Sequence, residues 1–346
     1  MQKKVFGTTK NGETAYLYEL TNKNGMVLKV SDFGANLVAL IVPDKNGKLD
    51  DVVLGFDDVA GYEYNASFFG AIIGPSANRI GKASFTIDGV DYKVAVNDGT
   101  VNNLHSDFYN GIHKRMWKAE AGDTSVKFTV ESGDMDMGFP GNKVFEVTYT
   151  LTDDNAVKID YKVTSDKNTI INPTNHSYFN LAGAASGHNI EDDILTLNAS
   201  HYTPVVAGAI PTGEIAPVAG TVMDFTKPTR VGDRIRDDFE QLKLTGGYDH
   251  NYAVDGWDGS LKEIATVEDK GSGRVMKAYS TLPGVQFYAG NAIADVTGKD
   301  GAAYTKRSGL CLETQFYPDS INHPNFPSCV FGPGKDYVSE TIYKFI

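Results

Sequence analysis

Positive charge is in short supply: 32 lysines and arginines stand against 44 aspartates and glutamates in 346 residues, a net charge of −12 with histidine neutral. Nucleic acid and anionic membrane surfaces collect on basic fields, so neither is expected as a partner, and a doubly charged phosphosugar is disfavoured as a ligand. Cysteine is nearly absent. Cys311 and Cys329 are too few for a disulfide framework and form no metal motif, so both are expected to be reduced and buried. No apolar run is long enough to span a bilayer, and Met1-Gln-Lys-Lys-Val-Phe6 leads into Gly7-Thr-Thr-Lys10 where a secretory signal would turn apolar. A cytoplasmic setting is the expectation, which makes the glycosylation patterns at Asn65, Asn175 and Asn198 chance matches. Nucleotide and serine-hydrolase motifs are missing too. Gly332-Pro-Gly-Lys335 lacks the spacing of a phosphate loop, and there is no Gly-x-Ser-x-Gly elbow.

What is present is an ordinary globular balance, 41% hydrophobic and 22% charged, enough for a sizeable core. Strand follows strand. Phe145, Val147, Tyr149 and Leu151 share one face, Asp153-Asp-Asn155 turns, and Val157, Ile159, Tyr161 and Val163 share the next face. Val126 to Glu131 alternates in the same way, Leu37 to Val42 is an apolar run closed by Pro43, and Asp88-Gly89 marks a hairpin turn between Ser84 and Val94. Strands with one apolar face pair into antiparallel sheets buried on one side. Helical spacing shows only at Val231, Ile235, Phe239 and Leu242, predicting one short inserted helix. No linker or fixed repeat divides the chain, so the expected fold is all-β, a large antiparallel β-sandwich over residues 1–346 as a single domain.

Candidate chemistry gathers on two stretches. Ile171 to Gly183 crowds polar and aromatic side chains around His176, whose imidazole can give and take a proton near neutral pH. The plain alternative is a buried, hydrogen-bonded ring. Leu310 to Gln315 alternates so that Glu313 shares a face with Cys311 and Gln315, and apolar neighbours raise such a carboxylate's affinity for a proton, which suits a general base; the plain alternative is an exposed strand carboxylate. Gln286 repeats that placement between Val285 and Phe287. Asn78 and Arg79 lie side by side in a loop, where the guanidinium fork suits sugar hydroxyls or a carboxylate, or else forms a surface ion pair. Asp249, beside His250, reads as an acceptor for ligand hydroxyls or as a turn residue. His105 lies in a loop. No His-x-x-x-His spacing occurs among the seven histidines, and no metal site is expected.

Taken in order, Phe33-Gly-Ala35, Asp51-Val-Val-Leu-Gly-Phe56, Ala77-Asn-Arg-Ile80, Asn103-Leu-His105, Gly138-Phe-Pro-Gly141, Thr174-Asn-His-Ser-Tyr-Phe-Asn-Leu-Ala-Gly183, Ile210-Pro-Thr-Gly-Glu214, Asp224-Phe225, Tyr248-Asp-His-Asn251, Pro283-Gly-Val-Gln286 and Leu312-Glu-Thr-Gln315 carry a resemblance. The chain resembles the aldose 1-epimerase (galactose mutarotase) family nearly end to end. The resemblance implies a mutarotase-type β-sandwich with an open sugar groove, interconverting the anomers of free hexoses without a cofactor or metal, as a monomer or homodimer. By it, His176 is the general acid, Glu313 the general base and His105 an auxiliary histidine, while Asn78, Arg79, His105, Tyr178, Asp249 and Gln286 hold sugar hydroxyls. In the mechanism this suggests, His176 enters protonated and gives its proton to the ring oxygen. Pro75, and Ser106-Asp107 after His105, depart from the family pattern, the latter where it would reshape the groove. A hexose-6-phosphate epimerase and a non-catalytic sugar-binding module are the rival readings.

Overall fold

A computed structural model describes all of residues 1–346. Its largest sheet has nine antiparallel strands, running Lys118–Ala121, Ser125–Ser132, Lys143–Leu151, Ala156–Ser165, Tyr337–Phe345, Val275–Ser280, Lys262–Glu268, Ile194–Leu197 and Thr229–Arg230. At its centre the predicted hairpin is realised residue for residue. Phe145 pairs with Val163, Val147 with Tyr161, Tyr149 with Ile159 and Leu151 with Val157. Along Lys143–Leu151 every second residue is buried, so the alternation read from the sequence is the alternation of core and flank. The turn at Asp88-Gly89 is equally direct: both residues take positive φ, 53° and 77°, the geometry that matches the twist of a two-residue hairpin between Ser84–Ile87 and Val90–Lys93.

A five-stranded sheet at the N-terminus runs from Gln2–Thr8 through Thr14–Thr21, Val27–Ser31 and Leu37–Pro43 to Leu49–Asp51. A second five-stranded sheet takes Ala216–Pro217, His201–Tyr202, Asp249–Ala253, Gly284–Tyr288 and Cys311–Gln315 in that order. This last sheet lies against the nine-stranded one: the Tyr343 hydroxyl donates to the Leu312 carbonyl at 2.8 Å, and Thr314 and Thr341 join hydroxyl to hydroxyl at 2.6 Å. One apolar cluster of 65 buried residues, from Tyr18 to Phe345, fills the space between the layers.

Helix is scarce, limited to Val59–Glu63 and Glu240–Thr245. The expected helix through Val231, Ile235, Phe239 and Leu242 is therefore corrected to its final turns. Val231, Ile235 and Leu242 are buried as their spacing suggested, but Val231–Asp233 is a single 3₁₀ turn and Arg234 leaves helical geometry at φ −131°. The cause is local. Val231 N–H is taken by the Asp193 carbonyl and the Arg234 guanidinium donates to the Asp224 carbonyl at 2.6 Å, so this stretch is tied to neighbouring loops by outside partners. Glycine closes the real helix, with Gly246 at φ 71° as its left-handed cap.

Candidate active site

The three strands Asp249–Ala253, Gly284–Tyr288 and Cys311–Gln315 are in register so that Asn251, Gln286 and Glu313 form one row and Asp249, Tyr288 and Cys311 the next. Both faces of Cys311–Gln315 are buried. Leu312 and Thr314 face the nine-stranded sheet, which leaves Cys311, Glu313 and Gln315 on the opposite, polar face. His176 arrives from the short strand Thr174–His176, paired to Ala71–Ile73. Gly70, at φ 67°, makes the bend before that partner strand, and a Cβ there would collide with the Leu37 carbonyl oxygen.

These elements enclose a cavity of about 360 Å³, in the range of small-molecule sites, lined by Asn78, Arg79, His105, His176, Tyr178, Asp249 and Glu313 among others. His176 Nε2 lies 3.6 Å from Glu313 Oε2. Its other ring nitrogen is 3.6 Å from Cys311 Sγ, and the ring is stacked between Tyr178 and Phe68, with centroids 5.1 and 5.8 Å away. Glu313 Oε2 is buried with no hydrogen-bond partner in the chain. A buried carboxyl oxygen so left is the one a ligand hydroxyl can meet. Asn78 N–H donates to His105 Nδ1 at 3.1 Å, so the neutral His105 ring carries its proton on Nε2 and serves as a donor, not as a lone pair. His105, His176 and Glu313 do bring ligating atoms within 4.8 Å of one another, but that tautomer sets a proton where a metal ion would need an electron pair.

Arg79 gives its Nε–H to Asp98 at 2.8 Å and points a second nitrogen at Asp249, 3.8 Å away. It is the one lysine or arginine on the cavity wall, against Asp98, Asp249 and Glu313. Burial, reinforced by Asp249 and opposed by Arg79, lifts the Glu313 carboxyl well above its usual range. Burial pushes the His176 imidazole down to about 4. Both shifts disfavour the charged forms, so a carboxyl that holds its proton more tightly faces an imidazole that holds its own less tightly. The physical reason is that neither charged form is solvated there.

A family profile described as "Aldose 1-epimerase" matches residues 16–344. The chain belongs to the aldose 1-epimerase family. Human galactose mutarotase is 41% identical over 346 residues, 99% of this chain and 97% of that protein. The aldose 1-epimerase of Escherichia coli (strain K12) is 37% identical over 339 residues, covering 97% and 96%. Among solved structures, an aldose epimerase homologue from C. elegans superposes with a TM-score of 0.85 at 30% identity, over 96% of this chain and 99% of that one. Galactose 1-epimerase from Lactobacillus acidophilus gives 0.85 at 25% identity, over 100% and 98%.

Within this aldose 1-epimerase fold, the structure brings Asn78, Arg79, His105, Tyr178, Asp249, His176 and Glu313 to one cavity wall. Gln286 is not among the residues lining that wall; it donates to Asp249 Oδ1 at 2.7 Å and accepts from Gln315 at 3.1 Å. The Ser106 hydroxyl exchanges two 2.9 Å hydrogen bonds with the Ser76 backbone. Asp107 turns its carboxylate onto the N–H groups of Tyr109 and Asn110, both at 2.8 Å. Sequence reasoning missed Asp98, Phe68 and Tyr288. Tyr288 was within reach, since alternation from Gln286 puts it on the same face; Asp98 in its turn and Phe68 at φ 59° carry no such signal.

Proposed function

We propose that this protein is an aldose 1-epimerase that interconverts the α and β anomers of free hexoses such as galactose and glucose, acting as one domain over residues 1–346. The observation that carries the reading is the His176–Glu313 pair, 3.6 Å apart on the wall of a cavity of about 360 Å³. Anomer exchange removes the proton from the C1 hydroxyl and protonates the ring oxygen, so a pair that shares one proton has the right inventory. With the closed sugar bound, Glu313 as carboxylate takes the O1 proton while His176 as imidazolium protonates O5 and the C1–O5 bond breaks. That step discharges a buried ion pair, which the low-dielectric setting favours. Rotation about C1–C2 turns the other carbonyl face inward, and the transfers reverse. Asn78, Arg79, His105, Tyr178 and Asp249 hold the ring, a positioning contribution.

The phosphorylated-sugar reading fares worse, because the one wall cation, Arg79, is already committed to Asp98 and Asp249 and three carboxyl groups would face a dianion. A binding module has no use for a buried, unpartnered carboxyl aimed at an imidazole. A cytoplasmic, hexose-metabolising role accords with two buried, unpaired cysteines; no helix is long and apolar enough to cross a membrane. The test is Glu313→Gln, which keeps shape and removes the base, followed by polarimetry of fresh α-galactose and α-glucose. Loss of roughly a hundredfold to ten-thousandfold is expected, and a near-normal rate in the folded variant would sink the assignment.

A further inference from the structure

A second cluster of ligating side chains lies where the loop after Gly183 meets the turn at Asp269–Arg274. His188, Asp193 and Asp269 each offer one atom within 4.8 Å of the other two. His188 and Asp269 line an open cavity that shares no residue with the sugar cavity. Local structure builds the cluster from two short turns. Asn189 caps Ile190–Asp192 by accepting the Glu191 N–H at 3.0 Å, and Ile190 and Asp193, at the start and just past the end of this turn, are both buried. Asp269 accepts N–H groups from Gly271 at 3.1 Å and Ser272 at 2.7 Å, fixing its carboxylate at the rim.

Asp193 is the informative member. Its side chain is 0% exposed, its Oδ1 lies 3.2 Å from His188 Nε2, and its Oδ2 has no hydrogen-bond partner in the chain. A fully buried carboxylate with one oxygen unanswered is rare unless a charge completes it. His188 makes its only side-chain hydrogen bond through Nε2, to Asp193 Oδ1, so an ion that displaces this shared proton meets the Nε2 lone pair while Nδ1 keeps its own proton. The active-site cluster fails this condition at His105, as described above. The surrounding charges are mixed: Asp44, Asp50 and Asp192 against Lys48, Lys270 and Arg274. Lys48 pairs with Asp50, Arg274 donates to the carbonyls of Val42, Leu181 and Lys48, and neither Asp193 nor Asp269 forms an ion pair with a lysine or arginine.

We propose that His188, Asp193 and Asp269 bind one divalent transition-metal ion of the zinc class. One imidazole and two carboxylates suit zinc, while magnesium and calcium favour all-oxygen shells. Binding releases the proton held between His188 and Asp193, so affinity falls on acidification. The ion fastens the chain that leads away from His176: Leu181 accepts from Ser272 at 3.0 Å and from Arg274 at 2.7 Å, and Asn180 donates to the His188 carbonyl at 2.9 Å. It stabilises this junction without touching the sugar.

Calorimetric titration of the chelator-stripped full chain with zinc chloride, beside thermal unfolding and polarimetry, tests the site. The expected result is one zinc per chain, a melting temperature raised by about 2–5 °C, no rise with magnesium or calcium chloride at the same concentration, and an unchanged mutarotation rate. His188→Ala, at a partly exposed position that tolerates truncation, and Asp193→Asn should both lose the binding and the shift. The proposal is overturned if the wild-type chain takes up no zinc, if His188→Ala still binds one equivalent, or if bound zinc abolishes turnover without raising the melting temperature.

Discussion

The hairpin Lys143–Ser165 and the three strands carrying Asp249, Gln286 and Glu313 are both antiparallel sheet at the heart of the molecule, yet they bury opposite kinds of surface. In the hairpin, burial alternates with sequence, and apolar residues point in while Glu146, Thr148 and Lys158 point out. In the site strands almost every residue is buried, and polar side chains, among them His250, Asn251, Gln286, Glu313 and Gln315, are buried with them. One sheet is stabilised by removing apolar area from water, the other tolerates buried polar groups only because an amide network answers most of them. Gln315 donates to Asn251 and Gln286, each at 3.1 Å, and Gln286 to Asp249 at 2.7 Å. The difference teaches where function resides: in the sheet that carries the cost of buried polarity.

Three substitutions sharpen or break this contrast. Phe145→Ala, in the fully buried face of the hairpin, should cost about 3–5 kcal/mol in denaturant unfolding while leaving the rate per folded molecule intact; a stable but slow variant would erase the distinction. Gln286→Leu keeps volume but strands Asp249 and Gln315, at about 1–3 kcal/mol each way. On the proposed reading, in which Asp249 holds the sugar and Gln286 orients Asp249, its signature is a KM for galactose raised roughly 5- to 150-fold with kcat nearly kept. A fall in kcat with unchanged KM would return Gln286 to the reacting atoms. Val338→Thr, on the 71% exposed outer face of Tyr337–Phe345, should move stability by no more than about 0.5 kcal/mol and activity not at all.

The same contrast explains how far the sequence could be read. The hairpin was legible because period-two patterning is the imprint of one-sided burial, which Phe145 to Leu151 and Val157 to Val163 both obey. Glu313 was legible as a proton acceptor from its apolar flanks, but not its depth, because a strand buried on both faces looks in sequence like one exposed on its polar side. The pairing of His176 with Glu313, 137 residues apart by their numbering, depends on long-range register that no local pattern encodes. For the same reason Asp98 was invisible as the partner of Arg79. The burial that pushes the His176 imidazole down to about 4 was not legible either, because it depends on which distant side chains close over the ring. The helix was overextended because spacing reports which residues are buried and not which partners hold their backbone.

The claim that His176 and Glu313 work as one proton-sharing unit is tested most directly by a double-mutant cycle read by polarimetry on Glu313→Gln, His176→Asn and the combined variant. Two groups that share a single proton fail together, so each single change should slow anomer exchange roughly a hundredfold to ten-thousandfold and the double change hardly further. Losses that multiply, with the combined variant slower by the product of the two, would contradict the account.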